Sequence, residues 1–394
     1  MNNRRDFSEM GDPIKRHANS DDLAMPELEK KLIEEVQRIL QEEISSGRFS
    51  ALSIDDIGII FRIVKSEILS KIEYENFRTS GEETDRKSAE LIFVAAPTGA
   101  GKDTLVMKIE HDNKDRKYVV LNMDKFRHYY PAFLERIKAD YPDGMKDKDF
   151  AAQTSGFAYE IYYTMQRLLL ENFPGTNIII TGTIRDYEWV EETFKRFKAN
   201  PFTKYVTKLY ALAVPKTICA FSALKRYLLS INKYEPGTAR YTTEEYCRET
   251  INNFSINLAY FESVYNSPDG YIDVIEVYKR SKRQEDLDED TILYTTYVEG
   301  KGKTDTRGAV YGTVNNILNI DEPISSFALL VIMDRIKIWA EYLKDQNLYQ
   351  DILKFLEMFR PQKKDFQTPE MYLGDGKKKE NPDSRGDKYP GFDD

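Results

Sequence analysis

The sequence predicts an α/β protein in which a parallel sheet is flanked by helices. Four short apolar runs alternate with longer amphipathic segments, and the runs are LIFVAA (91–96), YVVLN (118–122), NIIIT (177–181) and KLYALAV (208–214). Runs that are apolar at nearly every position are typical of strands covered on both faces, as in a parallel sheet. The segments between them have the length and pattern of the crossover helices that parallel strands need.

Regions before and after this core have other patterns. Apolar residues recur at three- and four-residue spacings over 26–46 and over 53–69, which predicts two amphipathic helices, and the polar segment 79–90 is expected to be a linker. After residue 270, two β-like runs precede an amphipathic stretch at 323–358, and the tail has the polar composition of a disordered segment. The N-terminal helical region with its linker, the core, a C-terminal extension and the tail therefore occupy 1–88, 89–270, 271–360 and 361–394.

The composition excludes several classes of binding partner and of structural site. Lys and Arg number 57 and Asp and Glu 66, so the formal net charge of −9 argues against a general binder of nucleic acid or anionic membrane. Two cysteines are too few for a disulfide framework, and three histidines add too little for a zinc cluster. No signal-peptide pattern follows the first residues, and the most apolar run, 327–333, is too short to cross a bilayer. We expect a cytoplasmic protein.

The strongest motif is APTGAGKDT at 96–104, which directly follows the first apolar run and precedes a helical segment. Glycines let a backbone curl tightly and present its N–H groups to phosphates, and the following helix adds the positive end of its dipole. The lysine of such a loop reaches the outer phosphates. The motif therefore predicts nucleotide binding by Pro97, Thr98, Gly99, Ala100, Gly101, Lys102, Asp103 and Thr104.

Two positions depart from the usual phosphate-loop pattern. Ala96 stands where the first glycine is expected, and Asp103 stands where Ser or Thr is expected. A carboxylate beside a triphosphate is repelled unless a cation lies between them, so Asp103 is a candidate Mg²⁺ ligand, directly or through water. Thr104 is then the remaining hydroxyl for the metal. The alternative is that Asp103 only caps the start of the helix.

Further segments resemble one known family. The stretches NMDKFRHYYPAF (122–133), ITGTIR (180–185), LYALAVPK to KRY (209–227) and GTARYT (237–242) are similar, in order and spacing, to the signature segments of zeta toxins. Together with the phosphate loop, the resemblance covers about residues 91–265. It implies a P-loop kinase core with a five-stranded parallel sheet, to which this chain adds an N-terminal helical pair and a C-terminal helical and β extension.

The resemblance also implies an activity. Zeta toxins use ATP and Mg²⁺ to phosphorylate UDP-N-acetylglucosamine at the sugar 3′-hydroxyl, which starves peptidoglycan synthesis and inhibits growth. A separate helical antitoxin blocks the ATP site in this family, and in this chain the N-terminal helices are a candidate inhibitor in cis. The alternative is that these helices only extend the packed core. Alternative functions are a kinase of another small molecule, such as a nucleotide or an antibiotic, and a non-catalytic ATP-binding switch.

The resemblance transfers roles to individual residues. Asp124 becomes the base that receives the sugar hydroxyl proton, Lys102 holds the transferring phosphate, and Thr183 lies on the substrate side. Arg226 and Arg240 match the family arginines that clamp the phosphates. Glu160 is a candidate for the substrate-contacting glutamate of the third helix, with its register open.

General chemistry is compatible with these roles but leaves alternatives. A carboxylate at the carboxyl end of the strand next to the phosphate loop lies at the crevice of an α/β sheet. Asp124 is alternatively a Mg²⁺ ligand or a helix cap, and the two arginines are alternatively surface residues. The family strand usually ends in an acid before Gly-Thr, where this chain has Thr181. We hypothesise that Asp103 restores that missing charge.

Overall fold

The structure is a computed structural model that describes most of the predicted core. The described residues are 25–47, 63, 66, 87–126, 155–233, 242, 244–280, 292–298, 302–303, 306–321, 324 and 354. The chain forms two units, Met1–Arg360 and Pro361–Asp394, and every described residue belongs to the first. The predicted second N-terminal helix except for residues 63 and 66, the amphipathic stretch 323–358 except for 324 and 354, Arg240 and the tail lie outside the described residues.

Helices and strands alternate as the apolar pattern predicts. The helices are α1 (Met25–Ser45), α2 (Lys102–Asp112), α3 (Met123–Phe126), α4 (Ser155–Asn172), α5 (Tyr187–Lys198), α6 (Lys216–Lys233), α7 (Glu244–Asn266) and α8 (Ala309–Leu318). The strands are β1 (Lys87–Ala95), β2 (Tyr118–Asn122), β3 (Asn177–Gly182), β4 (Thr203–Ala213), β5 (Val274–Lys279), β6 (Ile292–Thr295), β7 (Tyr297–Val298) and β8 (Gly302–Lys303). Within the described part of the chain, no helix has the length and apolar character to span a bilayer.

One sheet organises the described residues. Its strand order is β2-β3-β1-β4-β5-β6, while β7 and β8 form a separate antiparallel pair. The first five strands are parallel, which confirms the predicted parallel sheet, and β6 pairs antiparallel with β5. Because β5 begins at Val274, the sheet continues past residue 270, where the sequence pattern placed the end of the core.

Residues 87–90 form strand, so the prediction that the linker extends to residue 90 is wrong at its end. Strand β1 pairs with β4 from Lys87, opposite Thr203, to Ala95. Main-chain pairing does not require apolar side chains, and the Glu90 carboxylate accepts a hydrogen bond from Lys208 at 2.8 Å. The apolar pattern therefore starts later than the strand, because Lys87, Ser88 and Glu90 are polar although Ala89 is buried in the core.

Side chains of the central strands alternate between two packed layers. On one face, Leu91 and Phe93 of β1 belong to a cluster that includes buried residues of α1, α4, α5, α7 and α8. On the other face, Ile92 and Val94 pack with α2 and α6. Both faces of the sheet are therefore covered, which explains the near-continuous apolar character of its strands.

Helix α1 is part of the core through its contact with α4. Arg38 donates to Glu171 at 2.6 Å, and Arg167 donates to Glu42 at 2.7 Å and to Glu43. The apolar side chains of α1 buried in the core are Leu32, Val36, Ile39 and Leu40. Since α4 ends just before the amino end of β3, these ion pairs lie at the amino edge of the sheet. The described contacts of α1 thus favour packing over inhibition at the opposite, carboxyl edge.

A buried carboxylate holds the amino end of α8. Glu262 of α7 is 3% exposed and accepts hydrogen bonds from the main-chain N–H groups of Val310 at 3.1 Å and Tyr311 at 3.0 Å. The N-cap residue of α8, Gly308, supplies no side-chain cap. Glu262 therefore performs the capping role from another helix.

Replacing this cap is expected to destabilise the fold. The substitution Glu262→Ala leaves one buried and one partly buried main-chain donor without their acceptor and removes a negative charge from a helix amino end, so we expect a loss of about 2 to 3 kcal/mol in the free energy of unfolding. Urea denaturation measures the loss. Glu245→Ala, at an exposed position of the same helix, is the matched control. Equal effects of the two substitutions would show that the capping contacts contribute nothing.

Candidate functional site

The phosphate loop lies at the carboxyl edge of the sheet, between β1 and α2. Gly99 and Gly101 have φ angles of 80° and 96°, in the left-handed region that favours glycine. Helix α2 begins at Lys102, and its N-cap residue, Gly101, has no side chain to cap it. Its backbone N–H groups and dipole therefore suit a phosphate group.

Helix α6 packs directly against this loop. A Cβ atom at Gly99 would lie 2.1 Å from the carbonyl oxygen of Cys219 and 2.8 Å from the amide nitrogen of Ala223. Only glycine fits between the loop and the helix backbone at these distances. Burial raises the pKa of the Cys219 thiol to about 12, so its sulfur stays protonated at neutral pH and is a packing group.

The structure places Asp103 and Asp124 on either side of one buried carboxamide. Asn122, the last residue of β2, donates from Nδ2 to Asp103 Oδ1 at 3.3 Å and accepts from the Asp124 main-chain N–H at 3.0 Å. Asn122 is 8% exposed, whereas Asp103 and Asp124 are exposed. Asn122 therefore connects the Asp103 side chain, in the first turn of α2, to the main chain of Asp124.

The expectation that the strand before Asp124 lies next to the phosphate-loop strand is wrong. Strand β3 lies between β1 and β2, and in the registers of the two pairs Thr181 is opposite both Val94 and Asn122. The first turn of α2 spans the intervening strand, because Asp103 reaches Asn122. Asp124 thus remains at the carboxyl edge, where ligands bind in open α/β sheets.

The segment after β3 is held in place by α7. Asn257 donates from Nδ2 to the carbonyl oxygens of Ile184 at 2.5 Å and Arg185 at 3.0 Å. The Arg185 guanidinium lies 3.1 Å from Glu249. Thr183, partly exposed, therefore sits between the end of a strand and an anchored main chain, at the same edge as the loop.

The remaining predicted residues are distributed around this edge. Helix α4 runs toward the amino end of β3, so its first half, which includes the partly exposed Glu160, lies toward the carboxyl edge. Arg226 is exposed and comes three residues after Ala223, whose amide nitrogen faces the loop. Arg240 lies outside the described residues, so its predicted role remains a prediction.

The residues present fit a nucleotide with a divalent cation. The glycine loop and the uncapped start of α2 suit the phosphates, and the Asp103 carboxylate in the first turn of α2 supplies a hard oxygen ligand. Magnesium bound with nucleotide commonly takes one or two carboxylates plus phosphate oxygens and water. Accordingly, this chemistry does not need a cluster of three His, Cys, Asp or Glu side chains, and none occurs among the described residues.

Sequence reasoning did not single out Asn122 or Asn257. Asn122 is a polar residue at the carboxyl end of an otherwise apolar parallel strand, which is a position where functional side chains concentrate. This position in the strand could have identified Asn122 as a candidate functional residue from the sequence. The register of Asn257 on its helix had no such signal, because its partners are main-chain carbonyl groups distant in sequence.

Comparison with known proteins identifies the family. The sequence model of the zeta toxin family matches residues 76–292, more than half of the chain. The zeta toxins of Streptococcus agalactiae and Enterococcus hirae are each 26% identical over 166 residues, or 41% of this chain and 51% of theirs, so the chain spans about half the length of the curated relatives it matches.

Solved structures also match the chain, at low sequence identity. A structure from the PezAT chromosomal toxin–antitoxin system of Streptococcus pneumoniae has a TM-score of 0.49 at 17% identity, covering 77% of this chain and 98% of that one. A complex of AvrRxo1-ORF1 with AvrRxo1-ORF2 and sulphate ions has a TM-score of 0.40 at 11% identity, covering 85% of each chain. On the extent of the family match in sequence, the chain belongs to the zeta toxin family.

Proposed function

We propose that this chain is an ATP-dependent phosphotransferase that phosphorylates the 3′-hydroxyl of UDP-N-acetylglucosamine and thereby inhibits growth. The observation that carries the proposal is the link through Asn122 between Asp103, beside the phosphate loop, and Asp124. A phosphate cradle and a carboxylate on one sheet edge are the two parts that a small-molecule kinase needs. Family membership supports the toxin-like activity and this acceptor.

The loop side of the site binds the donor nucleotide. Residues 97–104 and the start of α2 surround its phosphates, with main-chain N–H groups donated from Thr98 onward, and Lys102 neutralises the group that is transferred. Asp103 and Thr104 hold Mg²⁺, which supplies charge neutralisation when bound. Arg226, on the helix that packs against Gly99, and Arg240 clamp the same phosphates.

Asp124 acts on the acceptor. Its carboxylate accepts the proton of the sugar hydroxyl as that oxygen bonds to the γ-phosphorus, and the bond between the γ-phosphorus and the bridging oxygen breaks to release ADP. Thr183 and Glu160 contact the acceptor from the neighbouring segments. Anchoring of the Thr183 segment by Asn257 keeps the acceptor side fixed relative to the loop.

An antitoxin is the proposed macromolecular partner, acting in trans at the carboxyl edge. Helix α1 contacts α4 at the amino edge through the pairs Arg38–Glu171 and Arg167–Glu42. Deleting residues 1–88 is therefore expected to lower toxicity, since it removes part of the core. Increased toxicity of the deleted chain would instead support inhibition in cis.

Metabolite analysis tests the function. Cells induced for the unsubstituted chain are expected to accumulate a phosphorylated UDP-amino sugar and to stop growing, whereas cells with Lys102→Ala do neither. Lys114→Ala, at an exposed position in the turn after α2, is the matched control. A purified chain should consume ATP only when the UDP-sugar is added. Turnover with a nucleotide or an antibiotic instead would reassign the acceptor, and ATP binding without any phosphorylated product would indicate a switch module.

A further inference from the structure

We propose that Asn122 is a positioning residue that couples the nucleotide side of the site to the acceptor side, an inference that rests on the proposed function. Its carboxamide connects the Asp103 carboxylate to the main chain at Asp124. Neither contact involves a reacting atom. Asn122 therefore acts through the two acidic residues.

The capping contact alone does not account for this arrangement. An asparagine before a short helix commonly accepts an N–H hydrogen bond through Oδ1, as Asn122 does from Asp124. Here Nδ2 in addition donates to a carboxylate on a different helix, 19 residues away in sequence. A negative acceptor on one end of an amide polarises it and strengthens the acceptor at the other end. The two contacts therefore support each other.

The residue opposite Asn122 on strand β3 explains why a neutral hydrogen-bond donor suits this position. Thr181 lies opposite Asn122 in the sheet and is buried, so no carboxylate of β3 competes for Nδ2 at this level. The Nδ2 group of Asn122 orients the Asp103 carboxylate without neutralising its charge, so the negative charge remains available to bind a cation. Loss of the donor is expected to leave Asp103 free to rotate, which weakens the cation site and loosens the alignment of Asp124 with the phosphates.

Two substitutions separate positioning from capping. The change Asn122→Ser keeps an oxygen that caps α3 but has a side chain too short to donate to Asp103. The change Asp103→Ala removes the carboxylate that accepts from Asn122. Combining them gives a double-mutant cycle that isolates the coupling between the two side chains.

Asn200 offers a matched control at the amino edge. Its Oδ1 accepts from the N–H groups of Phe202 at 2.9 Å and Thr203 at 2.7 Å, and its Nδ2 donates to the Leu170 carbonyl at 3.0 Å. Asn200→Ser therefore breaks a carboxamide bridge of the same kind away from the site. It reports what such a change does to folding alone.

The measurements are kcat and the Mg²⁺ concentration that half-saturates binding of a fluorescent ATP analogue. With Asp103 present, Asn122→Ser is expected to lower kcat by about 10- to 100-fold and to raise the half-saturating Mg²⁺ concentration several-fold. In the Asp103→Ala chain, the same substitution is expected to change either quantity by less than about threefold. Asn200→Ser should lower the melting temperature and leave both quantities unchanged.

Equal effects of Asn122→Ser in both backgrounds, or a shift in melting temperature alone, would overturn the proposal. Absence of phosphoryl transfer by the unsubstituted chain would overturn the proposed function instead. In that case the double-mutant cycle is measured by Mg²⁺-dependent nucleotide binding, which does not require turnover and still decides the role of Asn122.

Discussion

Asp124→Asn is expected to lower kcat for phosphoryl transfer by about a thousandfold and to leave ATP binding unchanged. The amide has the size of the carboxylate but cannot accept the proton of the sugar hydroxyl. Asp124 is exposed, and Asn122 accepts from its main-chain N–H, so the substitution leaves the cap of α3 intact. ADP release with the UDP-sugar measures kcat, and fluorescence of an ATP analogue measures binding.

The control and the alternatives give different outcomes. Asp115→Asn, at an exposed position in the turn after α2, should retain full activity. If Asp124→Asn raises the Mg²⁺ requirement for ATP binding, Asp124 is a metal ligand. If transfer stays within about threefold of the unsubstituted rate, the role as a base is wrong.

Gly99→Ala is expected to abolish ATP binding and to lower the free energy of unfolding by about 3 kcal/mol. Two effects add at this position. A side chain is strained at a φ of 80°, and its Cβ would collide with the backbone of α6 at Cys219. Since backbone atoms cannot rotate away as a flexible side chain can, the loop and α6 must separate. Urea denaturation and nucleotide titration measure the two losses.

Gly308→Ala isolates the strain from the collision. Gly308 has a φ of 83°, and a Cβ there meets no atom within 4 Å. This control is expected to cost only about 1 to 2 kcal/mol and to leave ATP binding intact. Equal destabilisation by both substitutions would show that the contact between the loop and α6 is not tight.

Much of the fold follows from the sequence because parallel strands leave a strong local signal. The runs at β1, β2, β3 and β4 are apolar because helices cover both faces of the sheet. The polar start of β1 left no such signal, because three of its first four residues are polar although Ala89 is buried, and Glu90 pairs with Lys208 of β4. Strand order is also a matter of tertiary packing, which is why the insertion of β3 between β1 and β2 was not predicted.

The candidate site likewise has one part that the sequence predicts and another that it does not. The phosphate loop was predictable because Gly99, Gly101 and Lys102 form a local motif whose backbone geometry the structure reproduces. The bridge between Asp103 and Asp124 was not predictable, since it depends on the register that places Asn122 at the end of β2. The role of Arg240 stays a prediction.

The engagement of α1 has a practical consequence for protein production. An expression fragment cut to begin at residue 76, where the family match starts, would lack the α1 partners of Arg167 and Glu171 and would expose the apolar flank of α4 to water. Apolar surface that becomes exposed to water in this way promotes aggregation. Insolubility of such a truncated product would reflect a missing helix, and would say nothing about whether the catalytic region can act on its substrate.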